Sequence, residues 1–295
     1  MSRPDCLLPW SWTAPEGFTL RGLRSAPTGK PVLHFMHGTG LCTLAYWPLL
    51  APLMDQVDLF LADVHGHGDS EGQASFVGWN RSAGLAVDAW QAHAPHYGDV
   101  PVIVGGHSLG AVLGAMMLAD HPHLFDRGLL LDPVVMPPLM RALGWLGERT
   151  GLYPRNRLAR RARQRQAHWP SRQAAWDYFQ GRGVFADWDD AALAAYVDHG
   201  LAHHGDGSCA LKCPPDIEAD IFGSLPSGLW QRLDAVAQPT DVVMGQGSYP
   251  FARRAAARWA RRNRRVRLHE VAGSHCWMQA DPAGSVARLR DLLAR

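Results

Sequence analysis

Apolar residues fall into short runs, each ending near a glycine-rich or polar turn, at 31–36, 57–62, 100–105, 128–131, 241–244 and 266–271. The run at 100–105 is apolar throughout, as expected for a strand buried on both faces. Segments with helical spacing of large apolar residues occur at 109–119 and at 282–293, the latter near the end of the chain. This alternation predicts an α/β fold with a doubly wound, mostly parallel sheet.

The strand pattern disappears between Pro133 and Pro239. Stretches rich in Trp, Arg and Ala, such as 171–180 and 189–199, replace it and have helical character. A chain of 295 residues can hold a core domain that carries an inserted subdomain. We therefore expect a helical lid inserted at 133–236 into a core made of 1–132 and 237–295.

Composition excludes several classes of protein. Apolar residues make up 47% of the chain and charged residues 19%, with a formal net charge of +2, which is typical of a globular protein and favours no particular partner. The sequence lacks a run of roughly 20 apolar residues and, at its start, the features of a secretory signal peptide. We expect a cytoplasmic protein without stable membrane insertion and with five free cysteines; the oligomeric state stays open.

One pentapeptide predicts nucleophilic chemistry. Residues 106–110, Gly-His-Ser-Leu-Gly, match the Gly-x-Ser-x-Gly turn that presents a serine between a strand and a helix. A serine hydroxyl is a weak nucleophile, so it needs a base within hydrogen-bond reach and an acid that orients the base. His275 follows the last apolar run, where a base is expected in the chain order serine, acid, histidine. We predict Ser108 as nucleophile and His275 as general base.

With these motifs the chain resembles the α/β-hydrolase superfamily over nearly its full length. The resemblance is carried by His37-Gly38, the polar turn at 63–70, the pentapeptide, Asp132-Pro133 and Gly273-Ser274-His275. It implies an oxyanion hole made by the backbone N–H groups of Thr39 and Leu109. It also implies that His37, Gly38 and His107 bind substrate, and that no metal or cofactor is needed.

The acid is where this chain departs from the family pattern. Superfamily members usually carry an Asp a few residues beyond the strand that follows the lid, but 244–250 reads Met-Gly-Gln-Gly-Ser-Tyr-Pro. Asp132, at the end of the preceding predicted strand, is our candidate because the role is defined by geometry rather than by sequence position. Asp241 and Glu270 remain alternatives.

Other clusters carry less weight. His65, His67 and Asp69, the loop at 203–206, and the pair Cys209 and Cys213 lack the ligand set of a usual zinc site. The arginine-rich stretches 155–165 and 253–267 contain no nucleic-acid-binding motif, so we expect no nucleic-acid partner.

The sequence thus predicts hydrolysis of a small-molecule carboxylic ester, acyl or aryl and largely apolar. Some aromatic residues of the insertion should face the pocket; the candidates are Trp145, Trp169, Trp176, Phe179, Phe185, Trp188 and Trp230. Cleavage of carbon–carbon bonds, thioesters or amides would use the same residues. A non-catalytic binding protein and an arginine-rich binder of nucleic acid or anionic lipid are alternatives of another class.

Overall fold

The computed structural model of the chain describes residues 4–138 and 156–295. The strands are β1 (Leu7–Thr13), β2 (Thr19–Ser25), β3 (Val32–Met36), β4 (Asp58–Ala62), β5 (Val102–His107), β6 (Arg127–Leu131), β7 (His168–Trp169), β8 (Leu201–His203), β9 (Cys209–Leu211), β10 (Thr240–Gly245) and β11 (Val266–Val271). Eight of them form one sheet in the order β1-β2-β4-β3-β5-β6-β10-β11. The two pairings that involve β2 are antiparallel and the others are parallel.

Helices connect the parallel strands. They are α1 (Trp47–Leu50), α2 (Trp79–His93), α3 (Leu109–Asp120), α4 (Arg157–Arg163), α5 (Arg172–Phe179), α6 (Asp190–His199), α7 (Pro215–Phe222), α8 (Leu229–Ala235), α9 (Pro250–Arg262), α10 (Trp277–Ala280) and α11 (Pro282–Leu293). Short 3₁₀ turns occur at Thr43–Tyr46, Ala51–Asp55, Ala94–His96 and Gly183–Phe185. In the described part of the chain, no helix has the length and apolar character needed to cross a bilayer.

Alternate residues of the central strands pack into two separate hydrophobic cores. In β3, Val32 and Met36 contribute to one core, whereas Leu33 and Phe35 contribute to the other. Helices α2, α3, α8 and α9 cover the first face, and α1, α6, α10 and α11 cover the second. Because successive side chains of a strand point to opposite faces, burial on both sides explains the continuous apolar runs. The predicted doubly wound, mostly parallel sheet is confirmed.

The described part of the segment between β6 and β10 contains α4 to α8 and a small antiparallel sheet in the order β7-β9-β8. Only helices were expected there. Its strands are two or three residues long, which is too short for an alternating pattern to identify them. Of the predicted pocket aromatics and the arginine-rich stretch, Trp145 and Arg155 lie outside the described residues.

A buried histidine in β3 predicts acid sensitivity. The His34 ring is fully buried against Phe60 and Trp90, and within the described residues neither ring nitrogen has a hydrogen-bond partner. Burial lowers the pKa of His34 from 6.5 to about 3, because the charged ring would lose its hydration. Between these values the unfolded chain binds the proton and the folded chain does not, so the free energy of unfolding decreases as the pH falls.

We therefore expect His34→Phe to flatten this dependence. At pH 5 the histidine should cost about 2 kcal/mol relative to pH 8, a loss that phenylalanine cannot incur. Urea unfolding at both pH values measures the difference, with His204→Phe, at an exposed position, as control. Equal pH dependence in wild type and His34→Phe would contradict the assignment.

Candidate active site

Ser108 lies at a sharp turn between β5 and α3, with φ at +52°. Glycines at both sides of the turn allow strand and helix to approach closely. A Cβ atom on Gly106 would lie 2.6 Å from the carbonyl carbon of Gly110, and one on Gly110 would lie 2.3 Å from the Met36 carbonyl oxygen. Any larger residue would force these elements apart, so the two glycines explain how the chain adopts the turn.

The base lies against the serine. His275 follows β11, and its Nε2 is 3.0 Å from Ser108 Oγ. Its Nδ1 is 2.8 Å from Asp132 Oδ1. The structure thus brings together the three residues that the sequence proposes as nucleophile, base and acid, at the carboxyl ends of β5, β6 and β11. Ser108 retains 9% exposure, the His275 side chain 14% and Asp132 none, so the two hydrogen bonds of His275 are largely shielded from bulk water.

Asp132 is fixed by more than its contact with His275. The backbone N–H of Gly245 donates to Oδ2 at 2.7 Å, and the Ser248 hydroxyl donates to Oδ1. The Asp132 N–H itself donates to the Val243 carbonyl at 2.7 Å. Several donors around a buried carboxylate satisfy its lone pairs and define one orientation for it.

The two alternative acids lie elsewhere. Asp241 lies near the amino end of β10, whereas Ser108, Asp132 and His275 lie at the carboxyl ends of their strands. It accepts hydrogen bonds from Arg127 at 2.7 Å and His269 at 2.8 Å. Glu270 accepts a hydrogen bond from Arg253 at 3.0 Å on the surface. Neither has a hydrogen bond to His275 among the described contacts.

Buried side chains hold the loop after β3. Gly38 N–H donates to the Tyr46 hydroxyl oxygen at 3.1 Å, and Gly40 N–H donates to Nε2 of His67 at 3.0 Å. Between them, the N–H of Thr39 has no partner among the described hydrogen bonds, and the same holds for the N–H of Leu109 at the start of α3. Backbone N–H groups without a partner are the kind of donor that stabilisation of an oxyanion requires.

His107 connects this loop to His275. The His275 carbonyl oxygen can only accept, so Nε2 of His107 carries a proton and donates to it at 3.0 Å. In a neutral ring Nδ1 is then the acceptor, and the Tyr46 hydroxyl donates to it at 2.7 Å while its oxygen accepts the Gly38 N–H. Burial and the neighbouring His275 hold the pKa of His107 well below its ordinary value, which agrees with a neutral ring that has one proton.

His37 and His107, predicted from the sequence to bind substrate, are both buried. Nε2 of His37 accepts the Val64 N–H at 3.0 Å and its Nδ1 donates to the Gly38 carbonyl at 2.8 Å. Both histidines thus use both ring nitrogens in hydrogen bonds within the protein. Gly38 does lie beside the nucleophile, since an added Cβ would be 3.3 Å from Ser108 Cβ.

His65 and His67, for which the sequence does not predict a metal site, also accept hydrogen bonds from the backbone. Gln73 N–H donates to Nε2 of His65 at 3.0 Å, as Gly40 N–H does to His67. Over residues 4–138 and 156–295, no group of three or more His, Cys, Asp or Glu side chains is arranged to hold a metal ion.

Sequence reasoning missed Tyr46 and Ser248. Tyr46 lies 61 positions from His107, and no local motif connects them. A signal did exist for Ser248, because it lies in the loop after β10, where the superfamily usually carries its acid. Its hydroxyl donates to Asp132, which directly follows β6.

The chain was compared with known proteins. Residues 35–289 match the model of the alpha/beta hydrolase family. Monoglyceride lipase of Mus musculus is 31% identical over 118 residues, which cover 37% of this chain and 38% of the relative. The match therefore spans about two fifths of that relative's length.

Solved structures are similar over almost the whole chain. E-2-(acetamidomethylene)succinate hydrolase superimposes with a TM-score of 0.76 at 20% identity, covering 98% of this chain and 100% of that one. An esterase of M. tuberculosis superimposes with a TM-score of 0.72 at 20% identity, covering 99% and 94%. At such identities the likeness concerns the fold.

Proposed function

Since this chain belongs to the alpha/beta hydrolase family, we propose that it is a serine hydrolase that cleaves carboxylic esters through an acyl-enzyme intermediate. The observation that supports this most is the continuous chain of contacts from Ser108 Oγ through His275 to Asp132, at 3.0 and 2.8 Å. A nucleophile, a base and an orienting acid in this arrangement are the requirement for acyl transfer by serine.

Each step follows from this geometry. Ser108 Oγ attacks the ester carbonyl carbon while His275 Nε2 takes the hydroxyl proton, and the N–H groups of Thr39 and Leu109 donate to the oxyanion. Each such donor typically contributes about 3 kcal/mol to transition-state stabilisation. The tetrahedral intermediate collapses, and His275 gives its proton to the departing alcohol. Water then loses a proton to His275, attacks the acyl carbon and releases the acid, after which the proton returns to Ser108.

The segment at 133–236 serves as a lid in this proposal. Its described residues reach the loops after β3 and β4: a Cβ on Gly40 would lie 3.2 Å from the Glu218 carboxylate, and one on Gly66 would lie 3.1 Å from Ile217. Phe179 and Phe185 line a cavity that also contacts Thr39. Apolar walls beside the proposed oxyanion hole favour a small-molecule ester with a largely apolar acyl or aryl group.

Hydrolysis of p-nitrophenyl esters with acyl chains of two to twelve carbons tests the proposal. We expect turnover with an optimum at intermediate length, which would give the reach of the apolar pocket. Thioester, anilide and β-diketone substrates, assayed in parallel, separate ester hydrolysis from the chemistries that use the same residues. Folded protein that is inactive on all of these would contradict a hydrolytic role and favour a binding function.

Loss of the Tyr46 hydroxyl should slow catalysis without weakening binding. Tyr46→Phe removes the acceptor of the Gly38 N–H and the donor to His107 Nδ1. The loop after β3 then loses one hydrogen bond, and His107, which donates to the His275 carbonyl, is no longer held by Tyr46. Small displacements of catalytic groups slow the chemical step, so we expect kcat to fall by roughly 10-fold to 100-fold with KM nearly unchanged.

Tyr97→Phe is the matched control, since the buried Tyr97 hydroxyl donates to the Leu59 carbonyl at 2.8 Å, away from these contacts. Steady-state kinetics of both variants on the best ester measures kcat and KM. Equal kcat values for Tyr46→Phe and Tyr97→Phe would remove Tyr46 from any positioning role.

A further inference from the structure

A cavity of about 320 Å³ opens beside the loop that carries Thr39. Helices α4, α5 and α7 and the turn at Gly183–Phe185 form its remaining walls. Most of its lining is apolar. The apolar lining residues are Leu41, Leu158, Ala162, Tyr178, Phe179, Val184, Phe185 and Phe222. Leu158 and Val184 are 53% and 48% exposed, respectively, so an apolar surface is left uncovered at this cavity.

Charge in the cavity is unbalanced. Three arginines line it, Arg161, Arg165 and Arg182, against one carboxylate, Glu218. Arg165 is already paired, because its Nη1 lies 2.5 Å from Glu218 Oε2. Within the described residues, neither Arg161 nor Arg182 has an ion pair with Asp or Glu. Among residues 4–138 and 156–295, these two guanidinium groups therefore lack a counter-charge.

Apolar walls beside two guanidinium groups favour a ligand with an apolar chain and an anionic end. A guanidinium binds a carboxylate through two parallel N–H···O bonds, and such charge-assisted bonds are stronger than neutral ones. Arg182 has its guanidinium carbon 4.7 Å from the centre of the Tyr178 ring, a contact that positions it at the cavity. An apolar chain along Phe179 and Phe185 would bring an anionic end to these arginines.

We propose that this cavity binds a carboxylate at the end of the substrate remote from the scissile carbonyl, held by Arg161 and Arg182. The inference rests on the proposed function, because it places the ester carbonyl at Ser108 and the apolar spacer past Thr39. The substrate class is then the monoester of a dicarboxylic acid, rather than a simple fatty ester.

Binding to Ser108→Ala protein tests the site without requiring turnover. Monomethyl esters of straight-chain diacids with four to ten carbons are titrated calorimetrically beside methyl esters of fatty acids of equal length. We expect at least about tenfold tighter binding of the diacid monoester at one or two chain lengths, decreasing as ionic strength rises.

Arg161→Gln and Arg182→Gln should each remove most of that preference and leave binding of the neutral ester unchanged. Arg264→Gln, at an exposed position after α9, is the matched control. Equal binding of charged and neutral esters at every length, or a preference that survives both substitutions, would overturn the proposal. Ester hydrolysis without such a preference would reject the anion site alone, whereas a preference without hydrolysis would reject the proposed function alone.

Discussion

Ser108→Ala is expected to abolish ester hydrolysis while leaving the fold intact. If Ser108 Oγ forms the acyl-enzyme, its removal leaves only binding and the oxyanion donors. Loss of a serine nucleophile in such a unit typically lowers kcat on the order of 10⁶-fold. The hydroxyl's contact among the described residues is with His275, so folding should be little affected. Alanine also meets the same backbone constraint as serine at φ +52°.

Turnover of the best p-nitrophenyl ester and labelling by a fluorophosphonate measure this together. Wild type should acquire one phosphonate on the peptide that contains Ser108 and lose activity in proportion. Ser82→Ala is the matched control, because Ser82 is also buried but lies in α2. Labelled and active Ser108→Ala protein would assign the nucleophile to another residue.

The sequence predicted the central sheet because burial there is continuous. The run at 241–244 lies in β10, which has one further residue at each end, and the one at 128–131 became β6 with one further residue. β1 and β2 were missed since they form an antiparallel hairpin at the sheet edge, where Leu7 and Trp10 are buried but Leu8 and Pro9 are exposed. A half-exposed strand that contains a proline gives a weak pattern.

Helix α2 was also missed, for a related reason. Its buried residues mix three alanines and Ser82 with Trp79, Leu85, Val87 and Trp90, so the periodicity of large apolar residues is weak. By contrast, α3 is buried almost throughout and was evident.

The proposed catalytic residues could be named from the sequence because parallel strands end at a common edge. Ser108, Asp132 and His275 each follow a strand of that sheet, so topology alone brings them near one another. Tyr46 and the arginines of the cavity could not be predicted from the sequence. Tyr46 meets His107 only through packing of a 3₁₀ turn against the sheet, and the arginines of the cavity come from α4 and from the segments that follow α4 and α5.

Asp132→Asn is expected to lower kcat by about 10⁴-fold, the loss found when the acid of such a triad becomes an amide. The asparagine NH₂ group cannot accept a hydrogen bond from the Nδ1–H of His275. It would favour the ring tautomer with the proton on Nε2, which faces Ser108 and could no longer act as base. If the amide turns the other way, its NH₂ group confronts the Gly245 N–H, which now donates to Oδ2 at 2.7 Å. A thermal midpoint lowered by a few degrees is therefore expected as well.

Asp241→Asn is the matched control, because Asp241 is equally buried and is the alternative acid that the sequence left open. It should lose stability through its contacts with Arg127 and His269 but retain kcat within about threefold, since it has no bond to His275. Kinetics at a temperature where both variants stay folded, checked by circular dichroism, separates catalysis from stability. Full activity of Asp132→Asn beside an inactive Asp241→Asn would transfer the acid's role to β10. Loss of activity in both, with both folded, would contradict a catalytic role that depends on the contact between Asp132 and His275 alone.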